Sequence, residues 1–340
     1  MLLHFGRVPV LVVSSAEVAY DVMKTHDLKF ANRLKTKAVN IIMNSGRDVA
    51  FSSYGEYWRQ LKSVCTVHLL GKKMVKSFEK VREDEVKAMM DRVEKGSSFS
   101  LPVNLSEFLL DMSNSVVCRI AMGRKYSREE KTGDFENNMR KIVELLGAFP
   151  VGDYIPGLAW VDKIRGLDCK MEQVSNSFME FLERVVQEHV DHEGYFLRRD
   201  INDFHDPRLG NDTSYKTSKL YEKAPRRDQN VFINAWVIHR DTTTWGPDAE
   251  EFRPERHLDV PLGFQGQDFK YIPFGSGRRL CPGIGFGLAL IEVTLANLVN
   301  RFNWRVETRP SGDDDEYYLA ETTGIEVCRK FPLIAFPSSS

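Results

Sequence analysis

Cys281 sits in the stretch Tyr271–Gly287, "YIPFGSGRRLCPGIGFG", with two arginines before it, a proline after it and glycines on both sides. Pro282 suits the first position of a helix, which puts Cys281 at the N-terminal cap of the apolar run that follows. Free backbone N–H groups and the positive dipole end at that cap favour an anion, so a thiol there is held ready as thiolate. Gly275, Gly277 and Gly283 remove side chains where a large flat ligand needs the backbone close, and they permit positive φ in a tight loop. Arg278 and Arg279 offer forked donors suited to carboxylates. Together these parts fit a macrocyclic iron cofactor with a thiolate axial ligand and acidic side arms. The residue types leave a second reading open, an ordinary buried cysteine in a loop beside a core helix, and only the spacing separates the two.

The elements that must carry this loop are mostly helical. "MLLHFGRVPVLVVSS" predicts a hairpin turning at Gly6 and Arg7. "SSAEVAYDVMKTH" predicts a helix capped by Ser15. Residues 36–55 read as an irregular loop leading to a helix near Glu56, which ends at Gly71. Amphipathic helices then dominate to Gly194, the longest run ending at Gly96. Residues 195–229 are polar and lack a period of 2 or 3.6, which reads as loop or disorder. "NVFINAWVIHRD" (230–241) predicts a buried strand. "GFGLALIEVTLANLVNRFNW" (285–304) is apolar nearly all round and predicts a central buried helix. "GIEVCRKFPLIAF" predicts closing strands, and no repeat or heptad is present.

Composition bounds the function classes. In 340 residues, 47 basic and 48 acidic side chains give a net charge of −1, which argues against general attraction to nucleic acid or anionic membrane. Apolar residues make up 42%, enough for a sizeable core. The five cysteines are far apart and form no C-x-x-C pair, which suits a reducing compartment and neither a disulfide framework nor a structural zinc site. His4, His68, His189, His192, His239 and His257 share no ligand spacing and read as ordinary surface or core histidines. Near the start, "VPVLVV" is strand-sized, far short of the ~20 residues a spanning helix needs.

Phe274-x-x-Gly277-x-Arg279-x-Cys281-x-Gly283 resembles the full haem-binding loop of the cytochrome P-450 superfamily. "EEFRPERHL", with Pro254-Glu255-Arg256, resembles the segment before that loop, and "GEYWRQLK" resembles the helix that approaches the haem propionates. "FPVGDYIPGLAW" and "DFKYIPFGSGRRLCPG" look like the plant A-type group. The resemblance covers residues 1–194 and 230–340 and implies a mainly α fold with small β-sheets, as one domain whose C-terminal part, 230–340, holds haem b. It implies Cys281 as proximal thiolate, Arg279 and Trp58 at the propionates and Phe274 packed near the thiolate. Lys62 stands where the family usually has Arg, so a contact there is a point charge and not a fork. Segments 44–55, 145–158 and 321–325 would face substrate. The implied activity is a monooxygenase acting on a small apolar plant metabolite, with O2 and an NADPH-cytochrome reductase as partners. The implied location is the endoplasmic reticulum membrane, by an N-terminal helix not found in this sequence; a soluble cytoplasmic state is the other expectation.

Two elements of that pattern are missing from the sequence: the central helix with an acidic-Thr pair, and the helix with a Glu-x-x-Arg pair that engages the Pro-Glu-Arg arginine. Asp241-Thr242-Thr243 lies downstream of the expected place and reads as a turn. No Glu-x-x-Arg lies between residue 195 and Asn230, so Arg256 lacks the expected partners. Both gaps fall at the polar stretch 195–229, read as non-matching sequence in a chain lacking its central block. A non-catalytic remnant that binds haem weakly or not at all is therefore the alternative to an active enzyme.

Overall fold

A computed structural model describes residues 1–126, 134–191, 230–259, 263–306, 320–322 and 324–339. The polar stretch 195–229 lies outside the described residues. The hairpin forms as expected, β1 (Leu2–Phe5) against β2 (Val8–Val13), turning at Gly6 with φ 59°. β2 also pairs in parallel with β4 (Asn230–Ile233), Val10 facing Asn230 and Val13 facing Ile233. A second sheet has the order β3 (Val103–Asn104), β6 (Ile334–Ser339), β5 (Phe302–Val306), all antiparallel.

Helices make up most of the remaining described chain. α1 (Ala16–Tyr20) is capped by Ser15, whose Oγ accepts from the Val18 N–H, and continues as a π-helical turn, Asp21–Thr25. α2 (Lys37–Ile42) occupies part of the segment expected as loop. Thr36 accepts from the Val39 N–H at 3.2 Å, and Ala38, Val39 and Ile42 bury one face of the short helix. α3 (Glu56–Val64) carries Trp58 and Lys62 on one face. α4 (Lys72–Ser77) and α5 (Glu79–Ser98) break at Phe78, where one continuous run was expected. α6 (Leu105–Met122) starts at an Asn104 cap and ends at Gly123, which takes the left-handed conformation at φ 75°. α7 (Asp134–Leu146), α8 (Val151–Tyr154), α9 (Ala159–Ile164) and α10 (Leu167–Asp191) follow.

The expected strand over 230–241 is shorter than the sequence suggested. It ends at Ile233, and Asn234 then caps one helical turn, α11 (Ala235–Ile238), by accepting from the Val237 N–H at 3.2 Å. α12 (Thr242–Trp245) is one further turn, capped by Asp241, which accepts from the hydroxyls of Thr243 at 2.6 Å and Thr244 at 2.9 Å. That cap agrees with the reading of Asp241-Thr242-Thr243 as a turn. α13 (Arg256–Asp259) and α14 (Ile284–Arg301) complete the order.

Apolar side chains gather in separate clusters. The largest joins Val86, Met90 and Val93 of α5 to Met112 and Val116 of α6, Leu290 of α14 and Phe302 of β5. A second joins α2, α7 and α10 through Ile42, Ile142 and Met171. A third seats Val13, Val22, Ile238 and Phe269 together behind the glycine-rich loop. α14 is not the buried helix its composition suggests. Only Leu290 and Thr294 are buried, while Ile291, Leu295 and Val299 are 54%, 57% and 63% exposed. An all-round apolar sequence buries every face only where every face meets a partner, and among the described residues the main contacts of this helix are with α4, α5 and β5. By length and composition α14 is also apolar enough to cross a membrane, a property the N-terminal stretches lack.

Candidate cofactor site

The glycine-rich loop runs from buried Phe269 and Ile272 to the start of α14. Ser276 is buried, and its Oγ donates to the Gly266 carbonyl at 2.5 Å. Gly275 and Gly277 have φ 73° and 63°, a region L side chains avoid. The Cys281 N–H donates to the Phe274 carbonyl at 3.1 Å, which closes the loop over one 3-10 turn, Gly277–Arg279.

Two expectations for this loop need correction. Cys281 is not the helix cap. Gly283 holds that place, accepting from the Gly287 N–H at 2.9 Å, and Pro282 and Gly283 form a turn that leaves Cys281 outside the helix. The three glycines also differ in role. A Cβ on Gly277 would lie 2.0 Å from the Met23 carbonyl oxygen, so this glycine serves contact with the π-helical turn of the chain itself. Gly275 has nothing within 4 Å of such an atom, and Gly283 meets only the Cys281 Sγ at 3.7 Å. These two, together with the exposed thiol of Cys281, border open space.

The two arginines separate as well. Arg278 is committed to Asp27 at 2.7 Å and is not a free carboxylate fork. Arg279 donates through Nε to Ala31 O at 2.8 Å and through Nη2 to Ser52 O at 2.5 Å. Its Nη1 is buried and has no partner among the described residues. The guanidinium lies 4.2 Å over the Trp58 ring, whose Nε1 donates to Val49 O at 2.9 Å. Burial, then the neighbouring Arg33, lower the Arg279 pKa to about 10, and Asp48 opposes them. Lys62 packs 5.1 Å over the Trp58 ring and donates to the carbonyls of Arg278 and Leu280, clamping the loop from outside. Burial and the Arg279 charge lower its pKa, and Cys281 opposes them.

The structure therefore brings Trp58, Lys62, Arg279 and the Cys281 loop together, with Gly277 joining the loop to residues 21–25. Sequence reasoning missed Arg33 and Asp48. Arg33 Nε donates to Ala50 O at 3.1 Å, and Asp48 Oδ1 accepts from the N–H groups of Ala50 at 2.6 Å and Phe51 at 2.8 Å. Segment 44–55, expected to face substrate, supplies the carbonyls that hold Arg33, Trp58 and Arg279. The other two expected substrate segments touch: a Cβ on Gly147 would lie 2.4 Å from the Ile325 nitrogen. Cavities of about 350 Å³ beside Lys72 and Gly285, and about 390 Å³ beside Glu144 and Arg165, are not lined by Cys281.

The cytochrome P-450 family profile matches residues 1–224 and 225–328. The chain belongs to the cytochrome P-450 family. Its relatives in Arabidopsis thaliana include the protein named putative cytochrome P-450 71A28, 55% identical over 419 residues, covering 96% of this chain and 83% of the relative. Cytochrome P-450 71A14 from the same plant is 51% identical, over 99% of this chain and 86% of its own length. An alignment of 419 positions is longer than the 340-residue chain, so this cytochrome P-450 lacks residues that its relative has within the aligned span. The first profile match runs to residue 224, into the polar stretch 195–229. A zebra fish cytochrome P-450 structure with progesterone has a TM-score of 0.71 over 100% of this chain and 96% of that one, at 15% identity, which shows the shared fold. By family, this cytochrome P-450 is a monooxygenase-type oxidoreductase of the plant A-type group.

Arg256 is held locally among the described residues. It donates to Asp248 Oδ1 at 2.7 Å, to Trp245 O at 2.6 Å and to the Asp248 carbonyl. Side-chain hydrogen bonds from Arg256 and then Arg253 hold the Asp248 carboxyl near a pKa of about 2.

Proposed function

We propose that this chain holds haem b through the Cys281 thiolate and serves as a monooxygenase toward a small apolar plant metabolite. The observation that carries this reading is the exposed Cys281 thiol beside Gly283, with open space at Gly275 and a buried Arg279 Nη1 that has no partner among the described residues. These residues fit the group. A thiolate is a soft iron ligand, the two glycines leave room for a flat macrocycle, and the unused guanidinium N–H suits an acidic side arm. Bound there, haem supplies O2 reduction and transfer of one oxygen atom to the substrate, with electrons from NADPH through a reductase.

The residues of the chain supply the rest. Arg279 and the Trp58 ring orient one side-arm carboxylate, while Lys62 holds the loop carbonyls. Trp58 Nε1 is committed to Val49 O, so a direct contact from it to a carboxylate requires that bond to open. Phe274 contributes its carbonyl to the loop closure that sets the thiol. Membership of a plant family otherwise held on the endoplasmic reticulum supports the same location for this chain.

Reduced protein treated with carbon monoxide should give a strongly red-shifted Soret band that is lost in Cys281→Ala. Failure to take up haem overturns the reading. The exposed apolar face of α14 and the residues missing relative to the plant proteins favour a second reading, a remnant without turnover. Substrate-dependent NADPH consumption with a reductase, giving a hydroxylated product, excludes that second reading.

A further inference from the structure

One turn, Asp48–Ser52, gathers the cationic side of the site. The carbonyls of Val49, Ala50 and Ser52 accept from Trp58, Arg33 and Arg279. The turn is held by Asp48, whose Oδ1 takes two backbone N–H groups and whose main-chain carbonyl accepts from the Ser52 N–H at 3.2 Å. The other carboxylate oxygen, Asp48 Oδ2, is buried without a partner among the described residues, as is Arg279 Nη1. One turn thus holds both guanidiniums through its carbonyls and carries a carboxylate that acts on the Arg279 charge without an ion pair inside 4 Å, leaving an unused acceptor and an unused donor among the described residues. A carboxylate is not needed to make the turn, because an asparagine oxygen accepts the same two N–H groups. The charge therefore needs a separate explanation.

We propose that Asp48 is the resident counter-ion of the Arg33–Arg279 pair, a positioning residue that stabilises the haem-free seat and competes with a haem side-arm carboxylate for Arg279. The proposal rests on the haem reading above and extends it to a residue that touches no cofactor. Removing the charge has opposite effects in the two states. Without a ligand, two guanidiniums repel uncompensated. With a carboxylate bound, an opposing negative charge is gone.

The test compares full-length haem-free protein with Asp48→Asn. Thermal unfolding of the haem-free variant falls by about 2–4 °C. Fluorescence titration with iron-free protoporphyrin IX shows about fivefold tighter binding, while the dimethyl ester, which lacks the carboxylates, binds unchanged. Arg33→Gln added to Asp48→Asn restores the lost thermal stability, because one guanidinium no longer needs a counter-ion. If Asp48→Asn alone does not fold, folding of the double variant supports the proposal, and its failure to fold overturns it. Unchanged or weaker porphyrin binding in Asp48→Asn overturns the counter-ion role and leaves the haem reading standing. No porphyrin uptake by either form overturns both.

Discussion

The Nε2 of His239 accepts the main-chain N–H of Ile272 at 2.9 Å, joining the end of α11 to the first residues of the glycine-rich loop. An acceptor at Nε2 places the ring proton on Nδ1, so this contact exists only for neutral imidazole. Burial first, and Arg240 second, lower the His239 pKa below its usual 6.5. The unfolded chain takes up a proton near pH 6.5 while the folded chain resists it. The contribution is therefore complete above that pH and is lost as pH falls through the folded value. The slope it adds is at most about 1.4 kcal/mol per pH unit. Thermal unfolding of the parent should fall more steeply between pH 7 and 5 than that of His239→Gln, whose amide oxygen accepts the same N–H without titrating. Equal slopes would remove His239 from the account.

Gly277 and Gly275 separate two costs that sequence alone merges. Both have positive φ, so alanine at either is strained by about 1 kcal/mol. At Gly277 the added Cβ would also meet the Met23 carbonyl oxygen at 2.0 Å, whereas Gly275 has open space. Gly277→Ala should cost at least about 2 kcal/mol more than Gly275→Ala in denaturant unfolding, because backbone has to move. Comparable losses in the two variants would show that the loop does not lean on residues 21–25.

Glu85 is 4% exposed and lies between Arg119 Nη1 at 2.6 Å and Lys125 Nζ at 2.6 Å, an ionic link from α5 to α6 and the residues after it. Arg119→Met leaves the buried carboxylate with an exposed lysine alone and should destabilise the fold by about 2–3 kcal/mol. Adding Glu85→Gln should recover part of that loss, since the uncompensated charge is then gone. A double variant no more stable than Arg119→Met would indicate that packing, and not charge, carries the link.

The parts legible in the sequence are those fixed by neighbours. The hairpin at Gly6, the Ser15 cap and the Trp58–Lys62 spacing on α3 need only local pattern, and each is found. The Cys281 motif identifies the family because its spacing is local too. What escaped depends on contacts made across the chain. Arg33 and Asp48 look like ordinary loop charges until the carbonyls of Val49, Ala50 and Ser52 are seen to receive Arg33, Trp58 and Arg279. Gly277 looks like room for a ligand until Met23 occupies the space. Residues 37–42 form a helix of six residues, too short for periodicity to reveal, and depend on Thr36 and packing against α7 and α10. Arg256 has a partner in Asp248, eight residues earlier, which only the folded turn between them brings into reach.

The apolar stripe on α14 gives the last prediction. Ile291, Leu295 and Val299 recur every four residues, so they lie along one side of the helix, and each is more than half exposed. Leu290 on the opposite side is buried in the largest cluster. An exposed apolar row of this kind drives self-association, since its burial is favourable by about 25 cal/mol per Å². Leu295→Lys combined with Val299→Lys should raise the monomer fraction in size-exclusion chromatography with light scattering. Unfolding free energy should change by no more than about 0.5 kcal/mol, because neither side chain is in the core. Leu290→Ala, by contrast, should cost about 2–4 kcal/mol and leave association unchanged. If the lysine pair destabilises the fold as much as Leu290→Ala does, the stripe is covered in solution and the helix is buried after all.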